Sequence, residues 1–340
     1  MRRVTFLVLS LALLAPEPSR AQGQLQVAEL GACPLESGET IQDCRVAYRS
    51  FGELNAGRSN AVLFTTQLTG TSAQIAGYIG SDGLVDTTTH FVIAVDAFGN
   101  GVSSSPSNSS AQPGADFPRY SIRDMVAAQH RLLTEVLGLS SLHAVMGISM
   151  GGMQSFEWAV SYPGFATKVI PIAGSPRLAA YDIVLWETSL RMLAVYQETG
   201  SRDASSALFG LSFLVGNSPE YHARMTPRDS ILGILTRLDG IPLPTPIAHN
   251  LASQVRAIVD HNVAAPYDDS LERAVARVQA DVLVIVTVQD HVVTPGPALE
   301  FAELLGAQTV VLPSDCGHNG LRCDSEQLSQ ASQDFLAGRE

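Results

Sequence analysis

A serine flanked by glycines, in the stretch 147–152, constrains the fold more than any other feature of this sequence. The stretch reads Gly-Ile-Ser-Met-Gly-Gly; it follows the apolar run 142–146 and precedes a segment whose apolar residues recur at helical spacing. A strand, a sharp turn and a helix are therefore predicted, with the side chain of Ser149 projecting above the end of a sheet. The glycines permit a strained turn and a close approach of strand and helix. The motif predicts a nucleophilic serine, and a glycine-rich turn with a solvated serine is the alternative.

Length and composition narrow the class of protein. The chain has 340 residues, of which 46% are hydrophobic and 16% charged, and its net charge is −12. A chain of this length can form one large domain with an inserted subdomain and a sizeable buried core. Because phosphate binding depends on clustered Lys and Arg, the acidic balance and the lack of a basic cluster argue against nucleic acid as a partner.

The first residues are typical of an export signal. Arginines at positions 2 and 3 precede the apolar stretch 4–15, and residues 19–21 read Ser-Arg-Ala, a pattern that a signal peptidase cuts. The apolar stretch is too short to span a bilayer comfortably. We expect residues 1–21 to be a signal peptide and the mature chain to be secreted or periplasmic without a stable membrane span. An uncleaved membrane anchor is the alternative.

Four cysteines stand in two close pairs, Cys33 with Cys44 and Cys316 with Cys323. An oxidising compartment favours disulfides. Four cysteines can pair in three ways, and the one that joins near neighbours, Cys33 with Cys44 and Cys316 with Cys323, is favoured. A zinc site is the alternative, although the spacings do not match common zinc patterns. The second bridge would brace the loop that holds His318.

From Cys44 onward, strand-like and helix-like stretches alternate. A helix capped by Ser121 is predicted to run to Leu137, where Gly138 ends it. Near-continuous apolar strands alternating with helices predict a mostly parallel sheet flanked by helices on both faces. The predicted strands are 45–51, 60–66, 90–95, 142–146, 169–172, 282–288 and 309–312.

Residues 176–280 interrupt this alternation. They contain helical stretches at 181–197 and 251–259, and prolines at positions 242, 244 and 246, but no convincing strand. A helical cap inserted between two strands is predicted here, where it would cover the serine and shape the substrate pocket. The core would then consist of residues 22–175 and 281–340.

A nucleophilic serine needs a base to take its proton and an acid to orient that base. For a serine on a strand-to-helix turn, the expected chain order is serine, acid, histidine, each in a loop after a strand. Asp290 follows the strand 282–288, and His318 lies in the loop after the strand 309–312. Ser149, Asp290 and His318 are therefore predicted to be a catalytic triad.

Each of these assignments has an alternative. Asp290 could cap a helix ahead of Pro295, and His318 could be a surface loop histidine. His291 is the rival base and Asp315 the rival acid. Both are disfavoured, because His291 is adjacent to the predicted acid and Asp315 lies in the same loop as the predicted base.

The reaction also needs two N–H donors for the oxyanion of the tetrahedral intermediate. One is predicted to be the backbone N–H of Met150, directly after the nucleophile. The other is expected from the loop after an early strand, where the backbone N–H of Leu68 is the candidate. An ordinary strand-to-loop turn is the alternative at Leu68.

Many segments resemble homoserine O-acetyltransferases. The resemblance is dense over residues 33–180 and looser around Asp290 and His318, and it implies an α/β-hydrolase fold, an acyl-serine intermediate and a homodimer assembled through the cap. The segments that carry it are 34–39, 46–48, 52–56 (Gly-Glu-Leu-Asn-Ala), 59–63, 68–70, 98–101, 103–107, 117–119, 128–130, 147–154 and 157–163.

Two departures from that family bear on the substrate. Acetyltransferases of homoserine have an aspartate directly after the histidine, where this chain has Asn319, and an arginine in the cap that the stretch 208–214 lacks. The charges that would hold a zwitterionic amino acid are missing. Export also separates the protein from acetyl-CoA, which is a cytoplasmic cofactor as a rule.

These features predict an exported serine enzyme that hydrolyses carboxylic esters through an acyl-serine intermediate, with a small-molecule acyl substrate and no cofactor or metal. An acyl-CoA-dependent O-acyltransferase is the first alternative. The second is a non-catalytic binding protein on the same fold.

Overall fold

The computed structural model describes residues 23–339, so the predicted signal peptide, residues 1–21, lies outside the described residues. Within them the chain forms a sheet of eight strands. In chain order these are β1 (Gln26–Pro34), β2 (Thr40–Phe51), β3 (Ala61–Thr65), β4 (Phe91–Val95), β5 (Leu142–Ile148), β6 (Ala166–Ile172), β7 (Asp281–Thr287) and β8 (Gln308–Leu312). The strands from β2 to β8 correspond to predicted strands with shifted boundaries.

The α-helices of the described chain differ widely in length, and none of them has both the length and the hydropathy needed to cross a bilayer. They are α1 (Ser72–Ile75), α2 (Ile122–Arg131), α3 (Met150–Ser161), α4 (Ala180–Thr199), α5 (Arg202–Gly216), α6 (Pro219–Met225), α7 (Ile231–Asp239), α8 (Thr245–Val259), α9 (Leu271–Val275), α10 (Gly296–Leu305), α11 (Gly320–Cys323) and α12 (Ser325–Ala337).

The strands follow the order β1-β2-β4-β3-β5-β6-β7-β8 across the sheet. β2 is antiparallel to both of its neighbours, whereas the strands from β4 to β8 in this order are parallel. Since parallel strands have their carboxyl ends at one edge, the loops after β3, β5, β7 and β8 lie on the same side of the sheet. Ligand sites of open α/β sheets form at this edge.

Helices cover both faces of the sheet, which confirms the predicted α/β-hydrolase fold class. Successive strand residues face opposite sides: Leu63 belongs to the hydrophobic cluster under α2, α3 and α10, and Val62 and Phe64 belong to the cluster under α1 and α12. All three side chains are 0% exposed. Burial on both faces explains why the central strands are continuous apolar runs.

The first strand, β1, is absent from the sequence-based prediction. Its pairing with β2 contains register shifts on both sides of Gly31, so its side chains do not alternate regularly. The disulfide Cys33–Cys44 joins β1 to β2, and Cys316–Cys323 is also present. Both favoured pairings are confirmed, and no cysteine thiolate of the described chain remains free to bind zinc.

The helix after Ser121 begins as predicted but ends differently. The Ser121 hydroxyl accepts a hydrogen bond from the backbone N–H of Asp124 and caps α2. The α-helix stops at Arg131, and Leu132–Val136 forms a π-helical turn. A π turn contains an extra residue and changes the direction of its side chains around the helix axis. Val136, the last residue of this turn, is 41% exposed although its spacing places it on the apolar side.

Between β6 and β7 the described chain forms helices and turns, without a further strand of the sheet. We call α4 to α8 the helical insertion. Part of it has its own small core, made of Leu193, Leu208, Leu243, Ala248 and Ala252. The end of α8 and the apolar residues of α9 pack in the main core instead. The cap boundaries at 176 and 280 stay a prediction.

Candidate active site

Ser149 lies on a sharp turn between β5 and α3. Its backbone has φ 58° and ψ −119°, a conformation that is costly for a residue with a side chain. A Cβ on Gly147 would lie 2.1 Å from Thr65 Oγ1, and one on Gly151 would lie 2.4 Å from the Thr65 carbonyl oxygen. Only glycine therefore lets β5, α3 and β3 approach so closely, and this packing holds the serine above the carboxyl edge of the sheet.

The structure brings Ser149, His318 and Asp290 into one hydrogen-bonded chain. His318 Nε2 lies 2.9 Å from Ser149 Oγ, and His318 Nδ1 lies 2.6 Å from Asp290 Oδ2. A carboxylate only accepts hydrogen bonds, so Nδ1–H donates to Asp290 and Nε2 accepts from the serine hydroxyl. Ser149 is 8% exposed and Asp290 is 3% exposed. In this tautomer the imidazole can take a proton from the serine.

The loop after β7 fixes the Asp290 carboxylate. Its Oδ1 accepts hydrogen bonds from the backbone N–H groups of Val292 and Val293, each at 2.8 Å, which leaves Oδ2 for His318. Asp290 is not the N-cap of α10, because that helix begins at Gly296 and its N-cap residue is Pro295.

The two rival residues lie outside this hydrogen-bonded chain. The ring of His291 packs against that of Tyr181, with centroids 6.3 Å apart. Asp315 forms an ion pair with Arg224, whose Nε lies 3.1 Å from Asp315 Oδ2. Neither rival has a hydrogen bond to Ser149 or His318 within residues 23–339.

The electrostatic surroundings favour the protonated form of His318. Burial acts to lower the pKa of His318, but the charge of Asp290, its hydrogen bond and the charge of Asp182 outweigh burial and raise that pKa. A base that gains a proton next to two buried carboxylates is stabilised in its charged form.

Contacts on two sides hold the loop that carries His318. The disulfide Cys316–Cys323 closes it. On the side of the helical insertion, Asn217 Nδ2 donates a hydrogen bond to the Cys316 carbonyl at 2.9 Å, and Asn319 Nδ2 donates to Asn217 Oδ1 at 3.1 Å. The loop is therefore fixed by a covalent bond and by the insertion.

Replacing Cys316 and Cys323 together with serine is expected to lower the free energy of unfolding by about 2 to 3 kcal/mol. It is also expected to lower kcat, because the loop holding His318 gains freedom. Chemical denaturation and ester turnover measure the two effects. In the matched control, serine replaces Cys33 and Cys44; we expect a similar loss of stability there with kcat unchanged. Equal losses of kcat in both variants would contradict a specific role for the second bridge.

The backbone N–H groups of Leu68 and Met150 have no hydrogen-bond acceptor among the described residues. Met150 opens α3, where N–H groups lack intrahelical partners. Leu68 follows β3 and lines the same cavity as Ser149. Both groups are thus free to donate to a bound oxyanion, and that role stays a prediction.

A cavity of about 400 Å³ opens beside Ser149 and His318, within the size range of small-molecule sites. The hydroxyls of Ser189 and Ser212 in its wall donate to helix carbonyls of Leu185 and Leu208. Among the described residues lining it, Arg322 is the only one with a fixed charge. The insertion supplies most of the apolar wall: Leu185, Trp186, Leu193, Leu208, Phe209, Leu211, Val215, Leu251 and Val255.

Sequence patterns do not identify two polar residues of the insertion that contact loops next to the site. Asp182 on α4 binds the loop after β7 through Thr294, and Gln254 on α8 binds the loop after β3 through Thr69. The only local signal is the position of Asp182 in the first turn of a helix. The two hydrogen bonds join residues that are 112 and 185 positions apart in the sequence, so a local sequence pattern cannot predict them.

Comparisons with known proteins agree on the family. The family model described as alpha/beta hydrolase fold matches residues 60–321. An ethyl acetate hydrolase of Pseudomonas veronii is 32% identical, over 91% of this chain and 93% of that protein. A homoserine O-acetyltransferase of Methanohalophilus mahii is 37% identical, over 46% of this chain and 37% of that protein.

The solved structure of an acetylester hydrolase from Corynebacterium glutamicum is also similar. Its TM-score is 0.82 and its sequence identity 28%, over 93% of this chain and 95% of that chain. Esterases and homoserine acyltransferases thus share both sequence and fold with this chain.

Proposed function

The chain belongs to the α/β-hydrolase fold family, as an esterase-type serine hydrolase or an O-acyltransferase, and we propose that it hydrolyses uncharged carboxylic esters of small molecules. The observation that carries the proposal is the hydrogen-bonded chain from Ser149 through His318 to Asp290 at the floor of a mainly apolar cavity. In this proposal Ser149 is the nucleophile, His318 the base and Asp290 the acid that orients it.

In the first half of the reaction, Ser149 Oγ attacks the ester carbonyl carbon while its proton passes to His318 Nε2. The carbonyl electron pair moves onto oxygen, and the N–H groups of Leu68 and Met150 donate to that oxyanion. When the tetrahedral intermediate collapses, the bond to the alcohol oxygen breaks. The leaving alcohol takes the proton from His318, and the acyl group remains on Ser149.

In the second half, water attacks the acyl-serine carbonyl and gives a proton to His318. The second tetrahedral intermediate collapses by breaking the bond to Ser149 Oγ, which recovers its proton from His318. The carboxylic acid leaves. No other reactant is needed, so the free enzyme is regenerated.

The charges around the cavity favour hydrolysis of uncharged esters over transfer to homoserine. A zwitterionic acceptor carries an ammonium and a carboxylate, and each needs an opposite charge when it is removed from water. Among the described residues that line the cavity, Arg322 could pair with the carboxylate, but no carboxylate side chain is there to pair with the ammonium. Asn319, at the family position of an aspartate, instead donates its amide to Asn217.

The localisation that we propose is secreted or periplasmic. The sequence of residues 1–21 has the pattern of a cleaved signal, and two disulfides are compatible with an oxidising compartment. Mass spectrometry of protein recovered outside the cytoplasm is expected to give a chain that begins at Gln22. An intact amino terminus on cytoplasmic protein would contradict export.

We also propose a homodimer through the helical insertion. Several apolar side chains of the insertion are exposed, including Val184 at 67%, Leu214 at 62% and Leu232 at 77%. Burial of exposed apolar side chains at an interface favours association. Sedimentation of the mature protein measures the mass, and a monomer at all concentrations would contradict the dimer.

The dependence of kcat/KM on pH is set by the pKa of His318. Only the neutral imidazole can accept the serine proton, so activity is lost as pH falls through the pKa of this residue. Because that pKa is raised, the half-maximal value of kcat/KM is expected above pH 6.5. The measurement uses an ester with no ionisable group. A midpoint below pH 6.5 would contradict the electrostatic account.

Two parallel assays test the proposed reaction. Purified protein is incubated with simple aryl esters, and separately with acetyl-CoA and a series of alcohols that includes homoserine. We expect ester cleavage without an added acceptor. Release of CoA that depends on an alcohol, with no ester cleavage, would instead establish an acyltransferase, the function of the homoserine relatives.

A further inference from the structure

We infer that Asp182 and Gln254 of the helical insertion are positioning residues, which hold the loops that carry the proposed acid and the proposed oxyanion donor. Both side chains are 0% exposed. Each forms hydrogen bonds across to the core at a loop that follows a central strand. The inference rests on the proposed function, and it makes the insertion part of the catalytic framework as well as the wall of the cavity.

Asp182 binds the far end of the loop that begins with Asp290. Its Oδ1 accepts a hydrogen bond from the Thr294 backbone N–H at 3.1 Å, and its Oδ2 accepts from the Thr294 hydroxyl at 3.0 Å. The Ala179 backbone N–H also donates to Oδ2, at 3.2 Å. Since Asp290 and Thr294 are four residues apart, this contact limits the movement of the loop relative to His318.

The position of Asp182 also affects the base electrostatically. Burial and the charge of Asp290 raise the pKa of Asp182, although its hydrogen bonds oppose this. Asp182 in turn acts with Asp290 to raise the pKa of His318. Other titratable or charged groups near these residues are His291, whose ring packs against that of Tyr181, and Arg322, which lines the cavity beside His318. Removing the charge of Asp182 therefore changes the protonation of His318, which loss of packing alone would not do.

Gln254 binds the loop that contains Leu68. Its Oε1 accepts a hydrogen bond from the Thr69 backbone N–H at 2.8 Å, and its Nε2 donates to the Phe98 carbonyl at 2.8 Å. Thr69 has φ 56°, a left-handed conformation that persists in a residue with a side chain only when surrounding contacts impose it. The turn is closed locally by the Gly70 N–H, which donates to the Gln67 carbonyl at 2.8 Å, and Gln254 holds the peptide between Leu68 and Thr69 from outside. Holding this peptide restricts the rotation of the Leu68 backbone and thereby the direction of the Leu68 N–H.

Asp182→Asn tests the first contact, with Asp203→Asn as the matched control, because Asp203 lies in the first turn of α5 and is exposed. We expect kcat to fall about tenfold in Asp182→Asn. The midpoint of the pH profile is expected to shift to lower pH, because the charge of Asp182 no longer raises the pKa of His318. We expect neither kcat nor this midpoint to change in Asp203→Asn. An unchanged midpoint and kcat in a folded Asp182→Asn protein would overturn the inference for this residue.

Thr294 variants keep this test informative if Asp182→Asn does not fold. Thr294→Val removes the hydroxyl that binds Asp182, and Thr294→Ser retains it. We expect kcat to fall in the valine variant and to remain at the wild-type value in the serine variant. Equal kcat in the two folded variants would count against the contact.

Gln254→Met tests the second contact, because methionine is of similar size but cannot accept from Thr69. Asn250→Leu is the matched control, since Asn250 is buried on the same helix and binds Ser107, away from the site. We expect kcat and the affinity for an aryl boronic acid, a mimic of the tetrahedral intermediate, to fall roughly tenfold with KM unchanged. Lower thermal stability with unchanged inhibitor affinity in Gln254→Met would reduce its role to packing.

Ser149→Ala separates failure of this inference from failure of the proposed function. If Ser149→Ala retains ester turnover, the proposed function is wrong and the positioning roles fall with it. If Ser149→Ala is inactive while the Asp182 and Gln254 variants match their controls, only the positioning roles are overturned.

Discussion

Ester turnover is expected to fall by roughly 10⁵- to 10⁶-fold in kcat/KM when Ser149 is replaced by alanine. The hydroxyl is the only group on the strained turn that can form an acyl-enzyme, and its removal leaves substrate binding and the oxyanion donors in place. The measurement is hydrolysis of an activated aryl ester. Mass spectrometry after treatment with a fluorophosphonate is expected to find the adduct on Ser149 in the wild type and on no residue of the cavity in the variant.

Ser212→Ala is the matched control for this prediction. Ser212 lines the same cavity, but its hydroxyl donates to the Leu208 carbonyl within α5. We expect its turnover to stay close to that of the wild type. Full activity of Ser149→Ala, or labelling of a different serine, would falsify the assignment of the nucleophile.

Asp290→Asn is expected to lower kcat by about 10⁴-fold. The asparagine amide can donate where the carboxylate accepts, so His318 would place its proton on Nε2, which then cannot take the proton of Ser149. KM is expected to change little, because Asp290 lies behind the histidine and does not line the cavity. Steady-state kinetics at a pH above the midpoint of the wild-type profile measure both constants.

Asp315→Asn is the corresponding control, because Asp315 is the rival acid in the loop of His318. Its carboxylate pairs with Arg224, and a partly exposed ion pair of this kind contributes about 1 kcal/mol or less. We expect a small loss of stability and nearly unchanged kcat. A large loss of kcat in Asp315→Asn together with an active Asp290→Asn would reverse the two roles.

Local patterns in the sequence predict much of the fold. The buried strands are continuous apolar runs because helices cover both faces, and they alternate with amphipathic helices. β1 is missed by this pattern since Gly31 and its register shifts break the alternation. The helix after Ser121 changes to a π turn at Leu132, which intrinsic periodicity does not encode.

Some features of the candidate active site can also be predicted from the sequence, and others cannot. The turn at Ser149 and the positions of Asp290 and His318 in loops after strands are predicted from the sequence alone, because a glycine-flanked bend and a residue directly after a strand depend on steric effects within a few residues. The 2.9 Å and 2.6 Å contacts of His318, and the hydrogen bonds of Asp182 and Gln254 to the loops after β7 and β3, are seen only in the three-dimensional structure. These contacts join segments that are more than a hundred residues apart or belong to different loops, so they depend on how the helical insertion packs on the sheet, which no local pattern specifies.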